Sequence, residues 1–258
     1  MRLWAARPLL WVMVRRELQA RVAGSALGLI WVYLQPLLTV AVYFLVFDLV
    51  FAMKLGANAP SERVGTYLVV GALPWLAFAE GLTRGAGSLV EAGHLLQKNP
   101  LPPGLFVLRS VGAGLVVFAP VLFLVTLLYG YLNGIGWALL ALPVLFVVQG
   151  VMTALLAWIL AIFTAAARDT LQLLTFALQL GIFLSPVLFV ITMFPEAWRW
   201  VLYLNPMTPL VMGYQSVLLS LQWPDWTTWV GSGVWVALLA TCLSLFVRNS
   251  RDQLVDWL

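Results

Sequence analysis

The chain alternates long apolar runs with short polar breaks. Runs long enough to form helices extend from near Ile30 to Met53, Thr66 to Leu82, Leu105 to Tyr131, Trp137 to Ala167, Leu171 to Phe194 and Trp229 to Val247. A bilayer's hydrocarbon core is about 30 Å thick, and a helix crosses it with about 20 apolar residues. The pattern therefore predicts an all-α membrane protein of six transmembrane helices. The fourth run is long enough to tilt, or to kink at Pro143.

Three segments between the runs have patterns of their own. Over about 8–22, Leu10, Trp11, Val14, Leu18 and Val22 share one side of a helix, and Arg15, Arg16 and Gln19 the other. An amphipathic helix lying on the inner membrane surface is expected. Glu17 and Arg21 fall on its apolar side, where their i,i+4 spacing lets them pair. From Ser88 to Lys98 a short cytoplasmic helix is expected, ended by Asn99-Pro100 and followed by Pro102-Pro103-Gly104. The segment 195–228 is apolar and aromatic but broken by Pro195, Pro206, Pro209 and Pro224, which excludes one straight helix. Its Trp198, Trp200, Tyr203, Trp223 and Trp226 suit the lipid headgroup level. Short re-entrant helices that dip into the outer leaflet and return are expected, with a plain interfacial loop as the alternative.

Composition supports a lipid solvent: 63% of the 258 residues are hydrophobic and 9% charged, against roughly a quarter charged in soluble domains. No internal repeat or flexible linker divides the chain, so one membrane domain over 1–258 is the simplest organisation. With the N-terminus inside, the inner segments hold Arg2, Arg7, Arg15, Arg16, Arg21, Arg84, Lys98, Arg109, Arg168, Arg248 and Arg251, and the outer ones only Lys54, Arg63 and Arg199. This asymmetry predicts both termini in the cytoplasm. The basic residues form no stripe of the kind that binds nucleic acid. Arg15, Arg16 and Glu17 interrupt the apolar stretch at Leu9–Val14, and no cleavage pattern follows, so the N-terminus reads as retained. The single cysteine, Cys242, permits no intramolecular disulfide.

Catalytic chemistry is thinly represented. The two lysines follow Met53 and Gln97, so there is no phosphate-cradling G-x-x-x-x-G-K-[ST] loop. His94 is the only histidine, which argues against a metal site or a catalytic triad. Ionisable groups inside the runs are few, and Asp48 and Glu80 are the candidates among them for a functional role. Glu80 precedes Arg84 by four residues and is expected to be neutralised by it, and Asp48 lies near the outer end of its run. Tyr43, Phe44, Phe47 and Phe51, with Trp75 and Phe78 in the second run, could stack on sugar faces along a path or pack against helices and lipid.

Three blocks carry a family resemblance. They are RRELQARVAGSALGLIWVYLQPLLTVAVYFLVF (Arg15–Phe47), LVVGALPWLAFAEGLTRGAGSLVEAGHLLQKNPLP (Leu68–Pro102) and RDTLQLLTFALQLGIFLSPVLFVITMFPEAWRWVLYLNPMTPLV (Arg168–Val211). Together they resemble the membrane subunit of polysaccharide-exporting ABC-2 type transporters, the family of O-antigen, teichoic-acid and capsule exporters. The resemblance implies a permease subunit that is not itself an enzyme and binds no cofactor. A separate ATP-binding subunit would carry ATP and magnesium, and two copies of the chain would enclose a path for a lipid-linked glycan. It further implies that about 88–99 is a coupling helix that meets the ATPase through Glu91, His94, Leu95 and Lys98, and that Pro195 to Ser220 forms periplasmic gate helices. Arg15, Arg16 and Arg21 are candidates for the lipid phosphate, because guanidinium pairs with phosphate oxygens bidentately. The alternatives are an ABC-2 exporter of drugs or small lipids, and a membrane enzyme acting on polyprenyl-linked sugars.

Overall fold

The computed structural model describes residues 7–52, 54–55, 60–61, 63–98 and 101–250. Arg2, Met53, Asn99-Pro100 and Arg251, which entered the expectations above, lie outside the described residues. The described chain is helical, and a single antiparallel backbone bridge, Lys54 to Arg63, closes the turn after the first apolar run. The amphipathic segment forms α1 (Arg7–Arg21). The first run forms α2 (Leu29–Phe44) and widens into a π-helical turn over Leu45–Val50. Then follow α3 (Val64–Glu91), α4 (Gly93–Lys98) and α5 (Gly104–Asn133). A 3-10 turn at Trp137–Leu140 leads into α6 (Ala141–Ala166), and α7 (Thr170–Gly181) comes next. The remaining helices are α8 (Arg199–Leu202), α9 (Met207–Ser220) and α10 (Trp226–Ser250). Pro143 falls in the first turn of α6, where no backbone donor is needed, so it starts the helix instead of kinking its interior.

Among the described residues, five helical stretches are long and apolar enough to cross a bilayer: Ile30–Val50, Val64–Glu91, Gly104–Asn133, Trp137–Ala166 and Trp226–Arg248. At their centre stands α3, packed by α2, α5, α6, α7 and α9 and buried along most of its length. Small residues make this enclosure possible. A Cβ on Gly85 would lie 2.6 Å from that of Ala157 on α6, so the α3 and α6 backbones approach closely only because one position is glycine. Pro74 interrupts α3, and its carbonyl accepts a hydrogen bond from Gln149 Nε2 of α6 at 2.8 Å.

The fifth apolar run departs from the expected single span, Leu171 to Phe194. Its helix, α7, has 12 residues, about 18 Å of rise, and turns follow through Ser185-Pro186. Proline has no N–H to donate and its ring clashes with the preceding turn, so a continuous helix stops before Pro186. Side chains satisfy the carbonyls released there: Tyr67 Oη donates to Pro186 O (2.9 Å) and Phe189 O (3.0 Å), and Gln215 Nε2 donates to Pro186 O (2.8 Å). The segment nevertheless runs the length of α3. Leu171 lies against Gly87, Gly181 against the Trp75 ring, and Val187 against Gly71. From Gly87 to Tyr67 is about 30 Å along a helix.

Beyond Phe189 the chain doubles back as a hairpin. Short 3-10 turns at Ile191–Met193 and Glu196–Trp198 lead through α8 to Asn205. Asn205 Nδ2 donates to Gly181 O at 3.0 Å, which places the base of the hairpin at the level of Trp75. Asn205 Oδ1 accepts the Met207 N–H at 3.0 Å, and Thr208 Oγ1 donates to Leu202 O. From there α9 returns to the turn between α5 and α6. Asn133 Nδ2 donates to Leu218 O (3.1 Å), and Leu221, at φ +51°, packs on Gly134 and Gly136.

Candidate functional site

At the Glu91 end of α3, one buried turn residue, Ala92, separates the central helix from α4. The N–H groups of Leu95 and Leu96 donate back to Ala92 O at 2.9 and 3.0 Å, so α4 is set directly on the end of α3. The expected helix over about 88–99 is therefore divided: Ser88–Glu91 completes α3, Gly93–Lys98 forms α4, and Asn99 is outside the described residues. Glu91, His94, Leu95 and Lys98 are exposed together, with Leu95 53% exposed. Leu96 instead turns inward and packs against the core.

Beside this end, α1 lies against α3 and α5. Val14 is buried, its Cγ2 3.2 Å from where a Cβ on Gly112 would stand. The expected pairing of Glu17 with Arg21 does not form. Glu17 pairs with Arg109 of α5 at 3.1 Å and Arg21 with Glu80 of α3 at 2.8 Å. Glu80 also holds Arg84 at 3.1 Å, so it serves two cations and not Arg84 alone. The two residues that interrupt the apolar side of α1 are thus the ones that dock it, because the face turned to the protein meets charged partners on two helices. Arg15 and Arg16 are exposed, whereas the Arg21 side chain is only 5% exposed. Burial lowers the pKa of Arg21 from its ordinary value, with Arg84 adding to this and Glu80 and Glu17 opposing it.

Asp48, at the opposite end of the molecule, has a structural partner. Its carboxylate accepts the N–H of Gly65 (2.7 Å), the N–H of Thr66 (3.1 Å) and the Thr66 hydroxyl (2.9 Å). Asp48 therefore caps the first turn of α3 from a neighbouring helix, supplying negative charge where helix N–H groups lack intrahelical partners. Asp48 and Glu80 are thus both engaged in holding helices together. Among the described residues, no three His, Cys, Asp or Glu side chains gather where they could hold a metal ion.

The aromatic candidates divide into two sets. Phe44 and Phe51 are exposed and Tyr43 and Phe47 half-buried on α2 and its π-helical turn, with the Phe47 and Phe51 rings 6.1 Å apart. Trp75 and Phe78 are buried inside α3's packing, 5.8 Å apart, and face no open surface of the single chain. Gln35 and Thr39 add a polar pair to the surface of α2. They line a shallow concavity of about 330 Å³ on α2 with Trp31, Leu38, Val42 and Tyr43. Two polar side chains four residues apart in an otherwise apolar run were the signal for this face. At the end carrying Asp48, Trp137 stacks on Trp223 at 5.2 Å, and Trp229 lies 6.1 Å further on.

A bundle of membrane-length helices with a short exposed helix set on the end of its central span describes a multi-pass membrane protein. Residues 8–219 match the family described as ABC-2 type transporter, and the chain belongs to that family. It is similar to the O-antigen export system permease protein RfbA of Myxococcus xanthus, with 31% identity over 98% of this chain and 96% of that protein. It is also similar to a protein of the same name from Klebsiella pneumoniae, with 24% identity over 82% of this chain and 80% of its relative.

Proposed function

We propose that this chain is the membrane subunit of an exporter that moves a lipid-linked glycan of the O-antigen type across a bacterial cytoplasmic membrane, driven by a separate ATPase. The observation that carries this reading is the end-to-end similarity to a permease named for O-antigen export. Such a subunit needs a surface on which the ATPase can push, and α4 is the best candidate, with Glu91, His94, Leu95 and Lys98 as the docking residues. ATP and magnesium would bind on the partner, whose closure would be transmitted through Ala92 into α3.

In the membrane, α2, α3, α5, α6 and α10 cross as helices, and residues 171–189 make a sixth crossing that is only partly helical. The support is that this segment accompanies α3 over about 30 Å. Six crossings would leave both termini on one side of the membrane, and the excess of basic residues in the inner segments supports the cytoplasm as that side, with the Asp48 end outside. The hairpin from Pro195 to Leu221 then re-enters the outer leaflet to the depth of Trp75, with its Asn205, Thr208 and Gln215 side chains hydrogen-bonded to backbone carbonyls. Two copies would form the path. Tyr43, Phe44, Phe47 and Phe51 would meet the glycan on the exposed side of α2, with Trp75 and Phe78 supporting from behind. Arg15 and Arg16 would face the lipid phosphates of the inner leaflet, and Arg21, buried against Glu80, would reach them only through a movement of α1.

The test is to purify the tagged chain from its host in mild detergent. A separate ATPase is expected to co-purify in about equal amount, and deletion of the chain is expected to remove a surface glycan. Reproducible purification without an ATPase, together with an unchanged surface glycan, would overturn the proposal.

A further inference from the structure

The ion-pair cluster beneath α1 is incomplete in a specific way. Arg21 uses Nη1 on Glu80, but its Nε and Nη2 are buried and have no hydrogen-bond partner. Those two nitrogens are the same edge of the guanidinium, the side-on fork whose parallel N–H groups match two oxygens of a phosphate or carboxylate. Leaving such donors buried and unmade is costly, more so on a charged group. The cluster to which Arg21 belongs comprises three cations, Arg21, Arg84 and Arg109, and two carboxylates, Glu17 and Glu80. One positive charge is left over.

The connection from α1 to α2 suits a hinge. Residues 23–27 are exposed. Gly24 and Gly28 have φ of +77° and +55°, and no neighbouring atom lies within 4 Å of where a Cβ would stand. Val14 is buried beneath α1, Met13 and Leu18 pack against the core, and the pairs of Glu17 and Arg21 described above tie the helix to α5 and α3.

We infer that α1 is a hinged flap whose Arg21 fork, closed and unpaired in this conformation, receives the phosphate of an inner-leaflet lipid when the Glu17–Arg109 pair opens. The inference rests on the membrane orientation given under the proposed function. With the outer hydrocarbon edge at Val64, about 30 Å of helix ends near Arg84. Arg21, Glu80 and Arg84 therefore sit where the inner hydrocarbon gives way to lipid phosphates. A phosphate at that level needs no further descent to reach the fork, only displacement of the flap.

The experiment uses the full chain, delipidated in neutral detergent, with native mass spectrometry counting bound lipid during titration with phosphatidylglycerol. Diacylglycerol, inorganic phosphate and a polyprenyl phosphate are run in parallel. Wild type is expected to retain phosphatidylglycerol in preference to diacylglycerol or inorganic phosphate. Arg21→Lys keeps the charge but not the fork, and should weaken retention about tenfold, the equivalent of one charge-assisted hydrogen bond. Glu17→Gln releases the flap and should tighten retention. Retention by Arg21→Lys equal to wild type overturns the proposal, as does unchanged or weaker retention by Glu17→Gln, or equal binding of diacylglycerol or inorganic phosphate. A polyprenyl phosphate that displaces phosphatidylglycerol identifies the lipid carrier as the ligand, and the reverse order identifies a resident membrane lipid. Either order supports a lipid-phosphate site. Because the assay contains no ATPase, failure here leaves the exporter reading standing.

Discussion

Replacing Asp48 by alanine removes three acceptor interactions at one stroke: the N–H groups of Gly65 and Thr66 and the Thr66 hydroxyl. An N-cap is worth about 1 kcal/mol when exposed, and hydrogen bonds to a charged group contribute about 1.5–3 kcal/mol each. Gly65 is buried, so its N–H finds no water in compensation, whereas Thr66 is half-buried and recovers some. A loss of about 3–5 kcal/mol follows for Asp48→Ala, and on the scale of about 2–4 °C per kcal/mol the melting temperature falls by about 10 °C. Asp48→Asn keeps one acceptor oxygen for Gly65 and turns a donor toward the Thr66 N–H, so it should cost about half as much. The assay is thermal unfolding of the purified chain in detergent, paired with transport in cells. If Asp48 carried protons, Asp48→Asn would abolish transport while melting like wild type; the cap predicts lower stability with transport retained. An Asp48→Ala protein melting within about 2 °C of wild type would refute the reasoning. Gly65→Ala supplies an independent check, since its Cβ would lie 2.7 Å from the Asp48 carboxylate and force the same cap apart.

Two further outcomes separate packing from docking. Leu95→Asp should leave the melting temperature within about 2 °C and abolish ATPase co-purification, whereas Leu96→Ala, at a residue packed on the core, should lower stability by about 1–2 kcal/mol. Equal behaviour of the two in both assays would contradict the opposed placement of these side chains. Gly104→Ala, whose Cβ would stand 2.2 Å from the Trp158 ring, should cost about 1–3 kcal/mol by overpacking; the additional substitution Trp158→Phe should restore part of the melting temperature.

Much of this architecture could be read from the chain because lipid imposes a simple length rule. The starts of α2, α5, α6 and α10 fall within a few residues of the apolar runs, and the proline-rich segment after Pro195 could be excluded as one straight helix. The length of α7 could not be judged from hydropathy, since Ser185-Pro186 breaks the helix without breaking the apolar run. Glu17 and Arg21 looked like partners because local spacing is visible in a sequence, but their actual partners, Arg109 and Glu80, lie on other helices. The capping role of Asp48 is hidden in the sequence for the same reason. Its ligands are backbone N–H groups, which no residue type announces. The exposure of His94, Leu95 and Lys98 was foreseeable only through the family resemblance, because a helix of six residues carries too little periodicity to reveal a face.

The enclosure of α3 has a consequence for how the protein is made. Of the five membrane-length helices it is the most buried and the least apolar, because in the finished molecule its surroundings are other helices and not lipid. Yet it precedes α5, α6, α7 and α9 in the chain, so during synthesis it leaves the ribosome before most of the surfaces that will cover it exist. Its Glu80, Arg84 and glycine-lined face must spend that interval beside lipid or the insertion machinery. The span at the heart of the fold is therefore the one whose hold on the bilayer depends on chain still to be synthesised.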